Sequence, residues 1–366
     1  MANELDGNPT ADCILLRLRL EDVVALAFFL ITLAVRIFFR ELRHEMVSPA
    51  DVLIIIPAVT LLLAKELVHY FVAGEAPADS GQKEPGAVAS SQQGVRDPLS
   101  DVWAFARPKL EILRDWFPFL LILMMYYSLW GDATHSVITH DRDVALIALD
   151  QRLFGFQASV ALQRFISPPL TAWMEFAYLF HVWNIPLVAC FIYLRRLRER
   201  FREMMCGVLV VTFFGLLGYL LVPAVGPMYA LRAHYTIPLD QPLVVFNRQA
   251  EFMDFARIRR DVFPSLHVGI SFVVWLYAYR NSRRLFLVLS PLILSLWVST
   301  VYLRYHYLID CIAGLILAPL SFLLANWLFK RLGEIAVVLP AGWLYRFTKA
   351  TNRRTPPGVK ELNGPG

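Results

Sequence analysis

Apolar residues fall in eight long runs, near Asp22 to Phe39, Asp51 to Val72, Asp115 to Trp130, Ala172 to Leu194, Met204 to Val222, Pro264 to Tyr279, Leu285 to Leu303 and Tyr307 to Phe329. A mostly apolar stretch of about 18 residues or more is long enough to cross a bilayer as a helix, and the third and sixth runs are short by that measure. Gly74 to Ser100 is rich in Gly, Pro, Ala and Ser and nearly free of large apolar side chains. Such a stretch buries too little surface to offset the cost of ordering, which predicts a flexible linker. Asp132 to Pro169 mixes charges with apolar residues at helical spacing, as in Val144, Ile147, Ala148, Gln151 and Phe154, which predicts a helix lying along the membrane surface. The expected organisation is a two-helix extension over 1–73, the linker over 74–100, a six-helix membrane module over 101–330, and an amphipathic, then disordered, tail over 331–366.

Composition strengthens the membrane reading. Of 366 residues, 57% are hydrophobic, and the mean hydropathy of +0.51 argues against a soluble multidomain protein. The net charge of +5 is modest, and no basic tract is interleaved with aromatics, so the arginines are read as facing anionic lipid and no nucleic-acid partner is expected. Cys190, Cys206 and Cys311 lie inside apolar runs and Cys13 stands apart, a pattern with neither a disulfide framework nor metal spacing. Met1 to Thr10 is polar and the first apolar run lacks a small-residue cleavage site, so that run is expected to be kept as a span.

Loop charge orients the chain. The connections Arg195 to Arg202 and Arg280 to Arg284 are short and strongly positive, which places both in the cytoplasm. Alternation then puts the loop from Pro223 to Phe263 and the turn from Arg304 to His306 on the other face, together. The loop after the first run, with Arg40 and Arg43, also falls outside, against the charge rule; Glu41 and Glu45 offset it only in local charge.

Two histidine segments therefore share one membrane face: Phe263-Pro264-Ser265-Leu266-His267 and Tyr305-His306-Tyr307-Leu308-Ile309-Asp310. Spaced four apart at a helix start, His306 and Asp310 are within reach, so the carboxylate can fix the imidazole tautomer and stabilise its cation. The other ring nitrogen is then a competent nucleophile toward phosphorus, and His267 can protonate a departing alkoxide and later activate an acceptor. Ser265 at a helix N-terminus supplies a hydroxyl and an anion site, and Arg257, Arg259 and Arg260 add positive charge. The scheme calls for neither metal nor cofactor. Glu175, His181 and Asn184, inside an apolar run, are read as interhelical hydrogen-bond partners rather than site residues.

Phe263 to His267, followed by Ser299 to Asp310 leading into Ala313-Gly314, resembles the second and third signatures of the type 2 phosphatidic acid phosphatase superfamily. The nearest likeness is to its inositolphosphotransferase branch, which includes the fungal inositol phosphorylceramide synthases. Leu266, where the lipid phosphatases usually carry Gly, is typical of that branch, and Leu149 to Gly155, Gly218 to Pro223 and Pro227-Met228-Tyr229 are similar to its segments. The resemblance covers about residues 110 to 330 and implies His306 as nucleophile, Asp310 as its orienting carboxylate, His267 as the second histidine and Ser265 as a phosphate contact. Ser299-Thr300 replaces the phosphatases' Ser-Arg. The Lys and Arg-Pro of their first signature have no match before Pro264; Arg107-Pro108 lies far upstream, with Asp101 in the place of the Lys. Another cation must hold the phosphate, and Arg304, Arg257 and Arg260 are the candidates, with Arg232 and Arg248 behind them.

The expectation is an all-α polytopic membrane enzyme, a six-helix phosphatase-like core plus two N-terminal helices, with its active site on the non-cytoplasmic face. It would pass a phosphoryl or phospho-headgroup, phosphoinositol among the options, from a membrane phospholipid or lipid phosphate to a lipid alcohol through a phosphohistidine. The alternatives are a phosphatase that uses water as acceptor and a non-catalytic lipid-binding or transport protein. The oligomeric state is left open.

Overall fold

The computed structural model describes residues 13–43, 59–61, 64–65, 98–128, 137–239 and 260–340. After a strand β1 (Cys13–Arg19) come α1 (Leu20–Arg43), α2 (Pro98–Ser128), α3 (Asp143–Phe154) and the short α4 (Ala158–Leu162). The long helices α5 (Pro168–Leu194) and α6 (Arg198–Leu221) follow, then α7 (Leu266–Asn281), α8 (Arg283–Tyr302), α9 (Leu308–Leu332) and a strand β2 (Glu334–Pro340). Among the described residues, α5, α6, α8 and α9 are long and apolar enough to cross a membrane. They match the fourth, fifth, seventh and eighth apolar runs, and with the remaining helices they make the protein a mostly helical integral membrane protein. The second run and the linker fall almost wholly outside the described residues.

Helix α6 is the hub. It packs on α1, α2, α5, α7 and α9, and 72% of its most apolar stretch is buried inside the protein, against 33–39% for the other three spans. Those three keep an outer apolar face, with Trp183, Leu187, Val288, Leu320 and Leu323 exposed. A continuous apolar face without a protein partner is what hydrocarbon covers. Two close approaches set the core beside the histidine segments. Leu266 fills a hollow left by Gly215 of α6, where an added Cβ would lie 2.2 Å from it, and Gly314 of α9 passes so near Ser265 that a Cβ would lie 2.5 Å from that carbonyl oxygen.

The ribbon is a departure from the all-α expectation. β1 and β2 pair antiparallel, from Cys13 opposite Pro340 to Arg19 opposite Glu334, so the first part of the expected amphipathic tail is a strand. Ile335 to Leu339 is a short apolar run, a length at which periodicity does not separate strand from helix. At the same end, ion pairs join the elements: Arg19 to Asp115 at 2.9 Å, Arg202 to Glu21 at 3.0 Å, and Lys65 to Asp22 at 2.5 Å. Arg202 also donates to the carbonyl of Gly333, which closes α9. The start of α1 thus sits at the end that carries the basic Arg195–Arg202 connection.

Candidate active site

The site forms where α7 and α9 begin. Ser265 is the N-cap of α7, its hydroxyl accepting from Val268 N at 3.5 Å, and its own N–H donates to the carbonyl of Asp310 at 3.0 Å. The two helix starts are therefore tied backbone to backbone. On the α9 side, the N–H groups of Tyr305 and His306 both donate to the carbonyl of Thr300, at 2.9 and 3.0 Å, which locks the exit from α8. Arg304 turns the chain there with φ +67°, a left-handed conformation unusual for a residue with a side chain.

His267 Nδ1 lies 3.2 Å from His306 Nε2, and His306 Nδ1 lies 3.6 Å from Asp310 Oδ2. The spacing argument placed His306 and Asp310 on one helix face, but α9 begins only at Leu308 and His306 precedes its N-cap. They meet because Asp310, in the first turn, reaches back to accept from Tyr307 N at 2.8 Å, a capping contact that brings its carboxylate under the imidazole. His306 is 2% exposed and Asp310 fully buried, while His267 is partly accessible.

Two further acids hold this start in place, and reasoning from sequence gave neither of them a role. Asp150 of α3 accepts from Leu308 N at 3.0 Å and Ile309 N at 2.9 Å, capping two open donors of α9. Burial raises its pKa above the usual carboxylate range, and those two hydrogen bonds pull it partly back. Asp143, two turns earlier, accepts from Val225 N, Gly226 N and the Tyr307 hydroxyl at 2.8–2.9 Å. Burial, with the Asp143 charge next, pushes the Tyr307 phenol far up, so it stays a donor. The signal was present: Asp143, Leu146 and Asp150 stand at i, i+3 and i+7 and make the buried stripe of α3, whereas Val144, Leu149 and Leu153 are exposed.

The candidate cations have separate surroundings. Arg304 is 8% exposed; its guanidinium stacks 3.9 Å over Tyr235 and donates to the Ile237 carbonyl, and its Nε has no hydrogen-bond partner among the described residues. Burial lowers its pKa from the ordinary arginine value. Arg260 is engaged by the loop before α3: it donates to the carbonyls of Ile138 and Thr139 and pairs with Asp141 at 2.8 Å. Arg257, with Arg248 and Arg259, lies outside the described residues, and Arg232 is exposed.

The three polar groups read as interhelical partners behave otherwise. His181 Nδ1 donates within its own helix to the Tyr178 carbonyl at 2.6 Å, and its ring meets His267 edge-on at 4.6 Å. Both carboxylate oxygens of Glu175 and Oδ1 of Asn184 are buried with no hydrogen-bond partner among the described residues. Tyr178 completes an aromatic wall, 4.8 Å from His267 and stacked on Tyr305 at 4.7 Å.

Fold and site together define a class: a helical membrane protein whose paired histidines and carboxylate meet where α7 and the spanning helix α9 begin, in an arrangement suited to phosphoryl transfer. Residues 144–324 match the PAP2 superfamily. It is similar to a phosphoinositol dihydroceramide synthase of Bacteroides thetaiotaomicron, 27% identical over 178 residues, covering 44% of this chain and 57% of the relative. It is also similar to a PA-phosphatase related-family protein of Dictyostelium discoideum, 27% identical over 128 residues, covering 32% of this chain and 22% of the relative. The chain thus spans little more than half the length of one relative and about a fifth of the other. No solved structure matches it at a significant level.

Proposed function

We propose that the protein is a lipid phosphotransferase that works through a phosphohistidine on His306, within a six-helix core flanked by two N-terminal helices, and that the site opens on the non-cytoplasmic face. The line from Asp310 through His306 to His267 carries this reading. With Nδ1 hydrogen directed at Asp310, His306 Nε2 keeps its lone pair, and at rest it accepts from His267 Nδ1. A phosphoryl group entering the site replaces that contact. His306 Nε2 attacks phosphorus, the P–O bond to the leaving lipid alcohol breaks, and His267 gives that alkoxide its proton. In the second half an acceptor oxygen attacks phosphorus, the P–N bond breaks with its electron pair returning to Nε2, and the acceptor's proton returns to His267.

Charge on the phosphate needs donors. The start of α7 with Ser265 supplies one set, and the buried Arg304, with its Nε unengaged among the described residues, is the best-placed cation. Arg260 is assigned to shaping the loop before α3, because all three of its guanidinium nitrogens are used there; Arg257 remains a candidate on sequence grounds. Thr300 in place of the phosphatases' arginine, and the likeness to a phosphoinositol dihydroceramide synthase, favour transfer of a phospho-headgroup to a lipid alcohol over hydrolysis.

The test is to incubate the purified protein with headgroup-labelled phosphatidylinositol, with and without ceramide or diacylglycerol. Label is expected to move to the acceptor lipid and, in its absence, to stay on the protein. Release of free phosphate or free headgroup without any acceptor sinks the transferase reading and leaves the phosphatase. Full function in both His306→Ala and His267→Ala leaves only the non-catalytic protein.

A further inference from the structure

His181 is the third histidine of this cluster, and neither spacing nor family signature assigns it. It stands on α5, 13 residues in from Pro168, about 20 Å along the helix at 1.5 Å per residue. Its ring lies against His267, the second residue of α7, so it stands at the level where α7 begins, on a helix whose Phe176, Val182, Trp183 and Leu187 are exposed on the outer side. A histidine at the edge of such an apolar face is costly without a task. His181 and His267 are partly accessible whereas His306 is buried, so a molecule approaching along α5 meets His181 and His267 first.

Its tautomer follows from its hydrogen bond. A carbonyl only accepts, so the 2.6 Å contact with Tyr178 puts the ring hydrogen on Nδ1 and, in the neutral ring, leaves a lone pair on Nε2. The ring is also packed edge-on to His267 at 4.6 Å, inside the wall formed by Tyr178 and Tyr305. A neutral base is thereby fixed beside the acid-base histidine, at a level reached from the lipid layer.

Building on the phosphohistidine reading, we propose that His181 is the base for a membrane-soluble alcohol acceptor. The alcohol's O–H donates to His181 Nε2. Its oxygen then forms the new bond to phosphorus as the P–N bond to His306 breaks, the hydroxyl proton passes to His181 Nε2, and it moves on to His267, which it restores for the next donor. Water, which needs no seat in the lipid layer, has no such requirement.

The test separates the half-reactions in the full-length protein in lipid nanodiscs with labelled phosphatidylinositol. The diacylglycerol burst reads attack by His306, and label transfer to ceramide or to a series of long-chain alcohols of graded acidity reads the acceptor step. In His181→Phe, which keeps an aromatic ring against His267, transfer is expected to fall about 100-fold, the usual order for a lost base, and much more than the burst. The residual transfer should rise more steeply with acceptor acidity than in the unaltered protein, and His181→Gln should lose the same step. Burst and transfer falling in parallel in both variants, or transfer unchanged, overturns the proposal. If the unaltered protein transfers label with no burst and no label on His306, the phosphohistidine reading fails first and takes this one with it.

Discussion

At the residue scale, Arg304 combines two roles that a single substitution separates. Its backbone is left-handed, a conformation that costs a side-chain-bearing residue about 1–2 kcal/mol and glycine almost nothing. Arg304→Gly therefore keeps the turn before His306 and removes only the guanidinium. Turnover is expected to fall about 100-fold, on the scale of losing one preorganised charge donor, with thermal stability close to the starting protein. A collapse of stability instead would make Arg304 a scaffold residue. Asp150 is tested through pH. Its pKa is raised in the folded protein, so the native state holds the proton more tightly than the unfolded chain. The stability linked to this proton is fully present below the ordinary carboxylate pKa near 4 and is lost as pH rises through the raised folded value. Asp150→Asn cannot titrate, so the slope of unfolding stability against pH in that window should flatten. One of two cap acceptors is lost as well, at about 1–2 kcal/mol, and turnover drops because His306 is less firmly placed. An unchanged slope, from unfolding in buffers across the window, refutes the assignment.

At the element scale, the site is made by the meeting of two helix starts and a surface helix. Gly314 permits α9 to run against the Ser265 carbonyl, so Gly314→Val must force the α7 start away from Asp310 and His306. Activity should fall at least about 10-fold while the protein still inserts, because a shift of an ångström at reacting groups is enough for that. Glu175 offers the opposite expectation. A buried carboxyl with no hydrogen-bond partner among the described residues is a cost to the fold, so Glu175→Met should leave melting in detergent unchanged or raise it. Helix α3 was legible as a helix from its apolar spacing. Its inward stripe of Asp143 and Asp150 was not, because an acid on a surface helix reads as solvated until the partner donors of Gly226, Leu308 and Ile309 are brought across from remote segments.

At the scale of the whole molecule, the ion pairs beside the ribbon join α1 and α2 to the hub α6 and the close of α9. Arg202 and Glu21 are both buried, and breaking such a pair from one side strands the other charge. Arg202→Met is expected to cost about 3–5 kcal/mol, with much of it recovered in Arg202→Met/Glu21→Met. Denaturation of both variants in detergent decides this, since a loose surface pair would show neither the loss nor the recovery. The N-terminal helix thus belongs to the core at this end, with Ala25, Phe28 and Phe29 fully buried.

Apolar run length by itself determined that this is a helical membrane protein, because hydrocarbon excludes polar groups, and two short histidine segments marked where its chemistry is proposed. The contact between Ser265 and Asp310, the clasp of α3, the pairing of residues 13–19 with 334–340 and the approach of His181 to His267 were decided only in the tertiary structure. Each joins segments remote in the chain, and no local pattern records which distant donor a buried carboxylate or imidazole will meet.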